Sequence, residues 1–370
     1  MTVVPYLALV VLAAAHAFQL LSAGYCIHRL RPRCQASCPA AASGSVTVLA
    51  PIDAVGPFSE QCMSALLAIE PRPLEIIFCA FGESEPAVAL ARRKLRGEDH
   101  VCVMTGRATV SANPKLDNLE KGWAAARGDH VLIVDDNVVV PPDIIGRLTG
   151  KLDGRTGPVC AAIAGDMPGN FFAHVECAFL GPFQARMLFV SDLLTPAWAI
   201  GKVLLLDRRW YDERGGLQAL RAYAAEDGGA SLLAQRDGLK TRYADLVVRQ
   251  PLGLRSLRQV WDRQLRWAML RKAQVGPIFA LEPLGTFVLP GVAALLSAPL
   301  LGLGPLAGCL LSCALWLLVD TVLSGICRWP VSPLTPLASL AREMLGLPLW
   351  VTAWVRRSYV WRGHSIAIGE

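Results

Sequence analysis

Residues 3–25 contain no Asp, Glu, Lys or Arg, and among larger side chains only His16 and Gln19 break the apolar run. A stretch of this kind matches the roughly 20 residues a helix needs to cross a hydrocarbon core. A cleaved signal peptide is the alternative, but it would carry a basic region before its apolar run. Here the basic cluster follows the run, at Arg29, Arg31 and Arg33. The positive-inside bias assigns those arginines to the cytoplasmic side. The expectation is a retained anchor over residues 1–28 and a linker over 29–44, with the following domain starting in the cytoplasm.

A second apolar region begins near Leu284. Residues 287–303 and 306–326 each approach spanning length, with a Gly304-Pro305 turn between them. Asp320 inside the second is costly unless it meets a partner or lies near the boundary. Residues 327–329, Cys-Arg-Trp, end the pair with a basic, aromatic interface signal. A third stretch, 337–355, has Arg342 and Glu343 near its start and Arg356, Arg357 and Arg362 after it. It either spans or lies in the interface.

The whole chain cannot be membrane. It is 53% hydrophobic with mean hydropathy +0.40, yet 18% of its 370 residues are charged. That combination implies a soluble part joined to membrane segments. The net charge of +6 suits anionic headgroups or a phosphate-bearing substrate and gives little reason to expect nucleic acid as a partner. The eleven cysteines show no zinc-like spacing: Cys34 and Cys38 lie in the linker, and Cys309 and Cys313 in an apolar run. They read as reduced thiols in a cytosolic domain.

Between residues 45 and 250 short apolar runs alternate with amphipathic ones. Strands are expected at 46–50, 74–79, 101–104 and 130–134, and helices at 61–69, 86–96 and 115–126. Such alternation predicts a parallel sheet covered on both faces. Ligands in these sheets bind beyond the carboxyl ends of the strands, so the residues following each strand are the ones to inspect.

Three groups stand out. After the fourth strand come Asp135, Asp136 and Asn137; acids at the end of a buried strand need a cation, such as Mg²⁺ or Mn²⁺ on a diphosphate, or else form a turn in water. Next come Glu226 and Asp227, after Gly215-Gly216-Leu217 and before a helix-like stretch at 230–236. A carboxylate there is either a base that takes a proton from an acceptor hydroxyl or an acid complementing a helix dipole. As a base it would need partial burial to raise its pKa. Third, residues 254–274 form a basic amphipathic helix with Leu254, Leu257, Trp261, Leu265 and Ala268 on one side. Arg263 and Arg266, three apart, serve either headgroup attraction or the grip on a diphosphate.

In this order the groups resemble the ceramide glucosyltransferase family of nucleotide-sugar glycosyltransferases. Arg263-Gln264-Leu265-Arg266-Trp267 is similar to that family's (Q/R)-x-x-R-W motif, Asp227 to its third key aspartate, and Asp135 to its second, in a loose D-x-D ending at Asn137. Asn113-Pro114-Lys115-Leu116-Asp117-Asn118 resembles its N-P-K-x-x-N segment, residues 51–57 the loop after its first strand, and Trp361-Arg362-Gly363 its carboxyl tail.

The resemblance implies an α/β fold of GT-A type: a Rossmann-like, mostly parallel sheet with one N-terminal and two or three C-terminal membrane helices. The divisions are the anchor 1–28, linker 29–44, catalytic domain 45–250, interfacial helix 251–276 and membrane region 277–370. Asp135 and Asn137 would hold a divalent cation, Mg²⁺ or Mn²⁺, and the nucleotide diphosphate. Asp227 would be the base of a single inverting displacement. Arg263, Arg266 and Trp267 would brace the diphosphate and shape the acceptor entrance, and Asn113 and Lys115 would line the donor pocket.

One departure concerns the first key aspartate, expected after the second strand. Residues 81–86 read Phe-Gly-Glu-Ser-Glu-Pro, so Glu83 or Glu85 would substitute in donor binding.

The implied partners are a UDP-sugar, a ceramide-like or hopanoid lipid and the bilayer, in a bacterial-type inner membrane with the catalytic domain cytoplasmic. UDP-glucose with ceramide leads, and UDP-N-acetylglucosamine with a hopanoid is the nearest alternative. A non-catalytic transport or binding subunit would not need Asp227. A processive polysaccharide synthase would want more spans after the catalytic domain.

Overall fold

The computed structural model describes residues 3–31, 44–95, 98–106, 113–195, 197–223, 225–361 and 364–367. Most of the linker, with Arg33, Cys34 and Cys38, lies outside the described residues, as do Arg362 and Gly363 of the tail. The chain forms two compact units, Met1–Arg31 with Gly165–Val190 and Leu252–Glu370, and Pro32–Ala164 with Ser191–Pro251.

In chain order the elements begin with helix α1 (Val3–Leu30), strand β1 (Val46–Pro51), α2 (Ser59–Leu67), β2 (Glu75–Cys79) and α3 (Pro86–Lys94). Next come β3 (Val101–Met104), α4 (Pro114–Ala125), β4 (His130–Val134), α5 (Ile144–Thr149), β5 (Thr156–Pro168) and α6 (Phe171–Ala178). A π-helical turn, Phe179–Ala185, leads into α7 (Arg186–Leu194), followed by β6 (Val203–Asp207), α8 (Arg208–Asp212), α9 (Glu226–Arg236) and β7 (Lys240–Gly253). Helices α10 (Leu257–Val275), α11 (Val288–Ser297), α12 (Pro305–Ile326) and α13 (Thr335–Val355) follow, then a hairpin, β8 (Ser358–Trp361) and β9 (His364–Ala367).

The sheet has seven strands in the order β3-β2-β1-β4-β6-β5-β7. The four expected strands pair in parallel, β1 beside both β2 and β4, and β2 beside β3. Val48, Leu49, Ile76, Phe78, Leu132 and Ile133 are buried, as in strands covered on both faces. Strand β6 departs from the parallel pattern and runs antiparallel to β4 and β5. Helix α4 packs so closely that a Cβ on Gly122 would stand 2.5 Å from Cys79 Sγ. The carboxyl ends of β1, β2 and β4 therefore share one edge, where Asp135 begins.

In the other unit two described helices, α1 and α12, are long and apolar enough to cross a membrane. Their exposed Leu7, Val10, Leu21, Leu310, Leu311 and Leu318 suit a hydrocarbon surround. Residues 287–303 do not form one straight span. Helix α11 has 10 residues and then tightens into a 3₁₀ turn at Ala298–Leu301, and 10 residues rise only about 15 Å. Taken with Leu257–Gly285 across a 46° bend, this segment can make a third, broken span. Of the arginines after the anchor, Arg29 is buried over the Phe189 ring, 4.9 Å from its centroid, while Arg31 is exposed.

Asp320 has its partners. Arg342 Nη1 lies 3.0 Å from its Oδ2, and Gln19 Nε2 donates to its Oδ1 at 2.9 Å. Gln19 Oε1 in turn accepts from Arg186. Glu343 pairs with Arg342 and accepts from Trp316 Nε1 and the Phe287 amide, each at 2.9 Å. Buried charge persists only when paired and hydrogen-bonded, and this network ties α1, α7, α12 and α13 together.

The segment Gly165–Val190, which the sequence leaves inside 45–250, belongs with the membrane helices. Its apolar α6 packs on α10 and α13, with its Val175, and Phe179 of the following π-helical turn, clustering with Met269 and Leu349. Helix α10 starts with a capping box between Ser256 and Gln259. Its buried stripe is Val260, Gln264, Leu265, Ala268 and Met269, whereas Leu254 and Leu257 are exposed. The expected face is thus rotated. Leu254 precedes the helix, and spacing by four from Val260 to Ala268 sets the inner side.

Candidate functional site

The site grows from the first turn of α4. Asn113 caps that helix, its Oδ1 accepting from the amides of Lys115 and Leu116 at 3.1 and 3.3 Å, and Pro114 fills the first helical position. The cap turns Asn113 Nδ2 toward Glu226, where it donates to Oε2 at 3.1 Å. It also aims Lys115 inward. Lys115 Nζ lies 2.7 Å from Asp135 Oδ1, from Glu226 Oε1 and from the Gly201 carbonyl.

From the other side, Lys202 Nζ lies 2.6 Å from Asp135 Oδ2 and 2.9 Å from Asn137 Oδ1. The backbone makes this possible: the amide of Asp135 donates to the Lys202 carbonyl at 3.1 Å, continuing the β4–β6 ladder. Glu226 and Asp227 form the first turn of α9, so the dipole-complementing role holds alongside any chemical one. Gly201 permits the close approach. A Cβ there would sit 2.9 Å from Glu226 Oε1 and 3.1 Å from Asp227 Oδ2.

Two cations among four carboxyl groups split the acids into two classes. Burial opposes the charge of Asp135, but Lys115 and Lys202 outweigh it and hold the group down at about 2. Glu226 is likewise lowered, burial again being overcome, here by Lys115 and Asn113. The other two acids receive the repulsion. Burial and then the charge of Glu226 push Asp227 up to about 7. Burial and then Asp135 push Asp136 up to about 6. Asp227 remains partly exposed, so a half-buried carboxyl titrating near neutrality stands at the strand edge. Such a group can accept a proton and release it again.

The two glutamates after β2 differ. Glu83 is exposed and committed, accepting from Thr105 Oγ1 at 2.6 Å and pairing with Arg92 at 2.6 Å. Glu85 Oε1 accepts from the Gly82 amide at 3.1 Å, and its buried Oε2 has no hydrogen-bond partner among the described residues.

Of the residues singled out from the sequence, Asn113, Lys115, Asp135, Asn137 and Asp227 come together. Arg263, Arg266 and Trp267 belong to the other unit. There Arg263 pairs with the buried Glu176 at 2.6 Å and stacks 4.5 Å over the Trp267 ring, and Arg255 holds the second oxygen of Glu176 at 2.9 Å.

Sequence reasoning missed Lys202. The signal was the short apolar run Val203–Leu206 between Lys202 and Asp207, an unassigned strand whose antiparallel pairing sets that lysine beside Asp135.

The oxygens assigned to a divalent ion fit a cation, because Lys202 already places one between Asp135 and Asn137. Carboxylate and amide oxygens are hard donors of the kind Mg²⁺ and Mn²⁺ take. Among the described residues no cluster of three or more His, Cys, Asp or Glu makes a complete cage. The set suits an ion that completes its shell with phosphate and water.

Comparison with known proteins agrees with this architecture. Ceramide glucosyltransferase 1 of Caenorhabditis elegans is 24% identical over 273 residues, spanning 72% of this chain but 58% of its own length. The ceramide glucosyltransferase of Komagataella phaffii is 24% identical over 418 residues, spanning 87% of this chain and 82% of its own. Among solved structures, the mannosyltransferase PcManGT from Pyrobaculum calidifontis, in complex with GDP-Man and Mn²⁺, superimposes with a TM-score of 0.51 at 14% identity. That likeness covers 95% of this chain and 98% of the other, and supports the GT-A fold. The family description Glycosyl transferase family 21 matches residues 11–370. With nearly its whole length matched and the expected resemblance to ceramide glucosyltransferases upheld, the chain belongs to glycosyl transferase family 21.

Proposed function

We propose that this glycosyltransferase moves a hexose from UDP-glucose to a hydroxyl of ceramide or a similar membrane lipid, in one inverting step with Asp227 as base. The observation that carries the reading is the half-buried Asp227, pushed up to about 7 by burial and Glu226 beside a lysine-bridged Asp135. In the step, the acceptor oxygen bonds to the anomeric carbon as the bond from that carbon to the UDP oxygen breaks. The hydroxyl proton passes to Asp227, and UDP leaves with the bonding electrons.

Asp135 and Asn137 would hold a divalent cation, Mg²⁺ or Mn²⁺, together with the diphosphate. When bound, that ion supplies positive charge to the leaving group. Lys202, whose ammonium contacts those oxygens, would yield them to the ion and swing on its flexible stem. Asn113 and Lys115 line the donor side, and the unpartnered oxygen of Glu85 makes it the better candidate than Glu83 for a uracil or ribose contact. In the membrane unit Arg263, paired with Glu176 and stacked over Trp267, orders the Arg-Gln-Leu-Arg-Trp motif. Helices α1 and α12 would hold the enzyme in a membrane, with the catalytic part, Pro32–Ala164 and Ser191–Pro251, on the cytoplasmic side to which Arg31 points by the positive-inside bias.

Mass spectrometry of lipids from cells expressing the wild type and Asp227→Asn tests the reading. A hexosyl lipid that appears only with the wild type supports it. An N-acetylhexosamine increment on a hopanoid would replace donor and acceptor, and equal product from both proteins would remove Asp227 as the base.

A further inference from the structure

Asp135 divides its two carboxylate oxygens between two lysines, and the lysines are held differently. Lys115 Nζ contacts Asp135 Oδ1, Glu226 Oε1 and the Gly201 carbonyl, each at 2.7 Å. Those contacts use every N–H donor of an ammonium, and the stem rises from the capped first turn of α4. Lys115 is a fixed part. Lys202 Nζ contacts Asp135 Oδ2 at 2.6 Å and Asn137 Oδ1 at 2.9 Å. Both side chains are the ones a divalent cation would take.

Lys202 and the ion therefore compete for the same oxygens. Like charges that close repel strongly where water is partly excluded, so the ammonium must leave as the ion arrives. The backbone cannot carry it away. The Lys202 carbonyl accepts from the Asp135 amide at 3.1 Å, and the adjoining Val203 pairs with Val134 in the β4–β6 ladder. Only the four-carbon stem can swing.

A lysine that gives up Asp135 loses the carboxylate balancing its charge, and its side chain is only 16% exposed. A charge in that setting is costly without a new anion. Within the cluster Glu226 is already taken, by Lys115 and Asn113. A diphosphate arriving beside the ion supplies the anion.

We propose that Lys202 is a built-in counter-ion that couples two ligands. It holds Asp135 and Asn137 until a nucleoside diphosphate receives its ammonium, so that the divalent cation and the diphosphate bind as a pair. This coupling rests on the reading above, in which Asp135 and Asn137 take the ion, and adds a positioning role for a residue outside the reacting atoms. In reverse, departure of the diphosphate returns the lysine to its two oxygens and favours release of the ion.

The test uses the full-length protein in detergent, Mn²⁺ followed by its EPR signal, and UDP as the diphosphate, with no sugar to transfer. In the wild type Mn²⁺ alone binds weakly, and saturating UDP tightens it by about 10- to 100-fold, within the usual range for coupled ligands. Lys202→Met tightens Mn²⁺ alone by about tenfold and shrinks the UDP effect by a similar factor. Lys202→Arg keeps the charge and with it the UDP dependence. A lysine that only braced the strand edge would, on removal, weaken Mn²⁺ equally with and without UDP and leave their ratio unchanged.

A UDP effect of the same size in wild type and Lys202→Met overturns the proposal. So does Mn²⁺ binding the wild type equally well without UDP, which would mean that a protein acid such as Asp136 receives the ammonium. Both results leave the ion at Asp135 and Asn137. Failure of Mn²⁺ to bind either protein even with UDP is a different outcome: it removes the ion assignment itself, and the coupling with it.

Discussion

Each unit of the protein buries a cluster of charges, and the two clusters are built differently. At the strand edge, the cations are lysines: Lys115 and Lys202 grip Asp135, and Lys115 also grips Glu226, leaving Asp136 and Asp227 raised toward neutrality. In the membrane unit the cations are arginines: Arg255 and Arg263 hold Glu176, and Arg342 holds Asp320 and Glu343. A guanidinium keeps its proton throughout the accessible pH range and fixes carboxylates in a planar fork, whereas an ammonium is a mobile point charge. The first cluster is arranged so that one member can change protonation, and the second so that planar guanidinium forks fix its carboxyl groups in place. Chemistry and architecture use the same attraction with opposite requirements.

The contrast can be broken most directly at its reactive member. Asp227→Asn should lower sugar transfer by about 10²–10⁴-fold, the usual contribution of a positioned base, with UDP-glucose still bound; single-turnover assays beside titration calorimetry would read both. Near-normal turnover would put Asp227 among the structural acids.

On the architectural side, Arg342→Met would leave Asp320 and Glu343 buried without their shared cation. A loss of about 3–5 kcal/mol is expected from removing one partner of such a pair. Thermal unfolding in detergent measures it, and an unchanged midpoint would show that the membrane network is not held by that arginine.

The pH profile sharpens the distinction. If Asp227 is the base proposed above it must be ionised to act, and kcat/KM should climb about tenfold per pH unit up to about 7 and then level off. A profile flat from about pH 5 to about pH 8 would remove Asp227 as the titrating group. For stability the sign is opposite. A carboxyl raised in the fold above its free value of about 3.9 destabilises progressively as pH rises from there to about 7, and adds nothing further beyond.

Smaller effects probe the fit of the lysine cluster. Gly201→Ala puts a methyl 2.9 Å from Glu226 Oε1, and overpacking of this kind costs about 1–3 kcal/mol. The loss should appear as a melting point lowered by a few degrees together with a reduced kcat, and an unchanged melting point would show that the cluster yields to the methyl. At the weak end, Glu85→Gln should raise the donor KM by about two- to tenfold, the worth of one hydrogen bond. Glu83→Gln, at an exposed ion pair, should leave it unchanged.

Much of this was legible in the sequence where period and burial coincide. Strands β1 to β4 announce themselves as short apolar runs because both faces of each are covered, and Asn113, Lys115, Asp135 and Asp227 lie at their carboxyl side or at a helix start. Lys202 was not legible, since nothing in a lysine before five strand residues reveals an antiparallel neighbour. The partnership of Arg263 with Glu176 was hidden for a similar reason: 87 residues separate the two in the chain, and only folding brings them together. The inner face of α10 was misjudged because Leu254 looks helical in spacing but lies before the cap at Ser256.

Gln19 gives the amino-terminal helix a role that a simple tether does not have. Its carboxamide bridges Arg186 and Asp320, giving its oxygen to one and its nitrogen to the other. During synthesis that side chain emerges long before either partner, so it must wait in the lipid phase until the rest of the bundle arrives. A foreign signal anchor of equal greasiness would therefore insert normally and still yield a poorly assembled enzyme. Transplanting Gln19 alone into such an anchor, at the matching turn, should recover part of the loss.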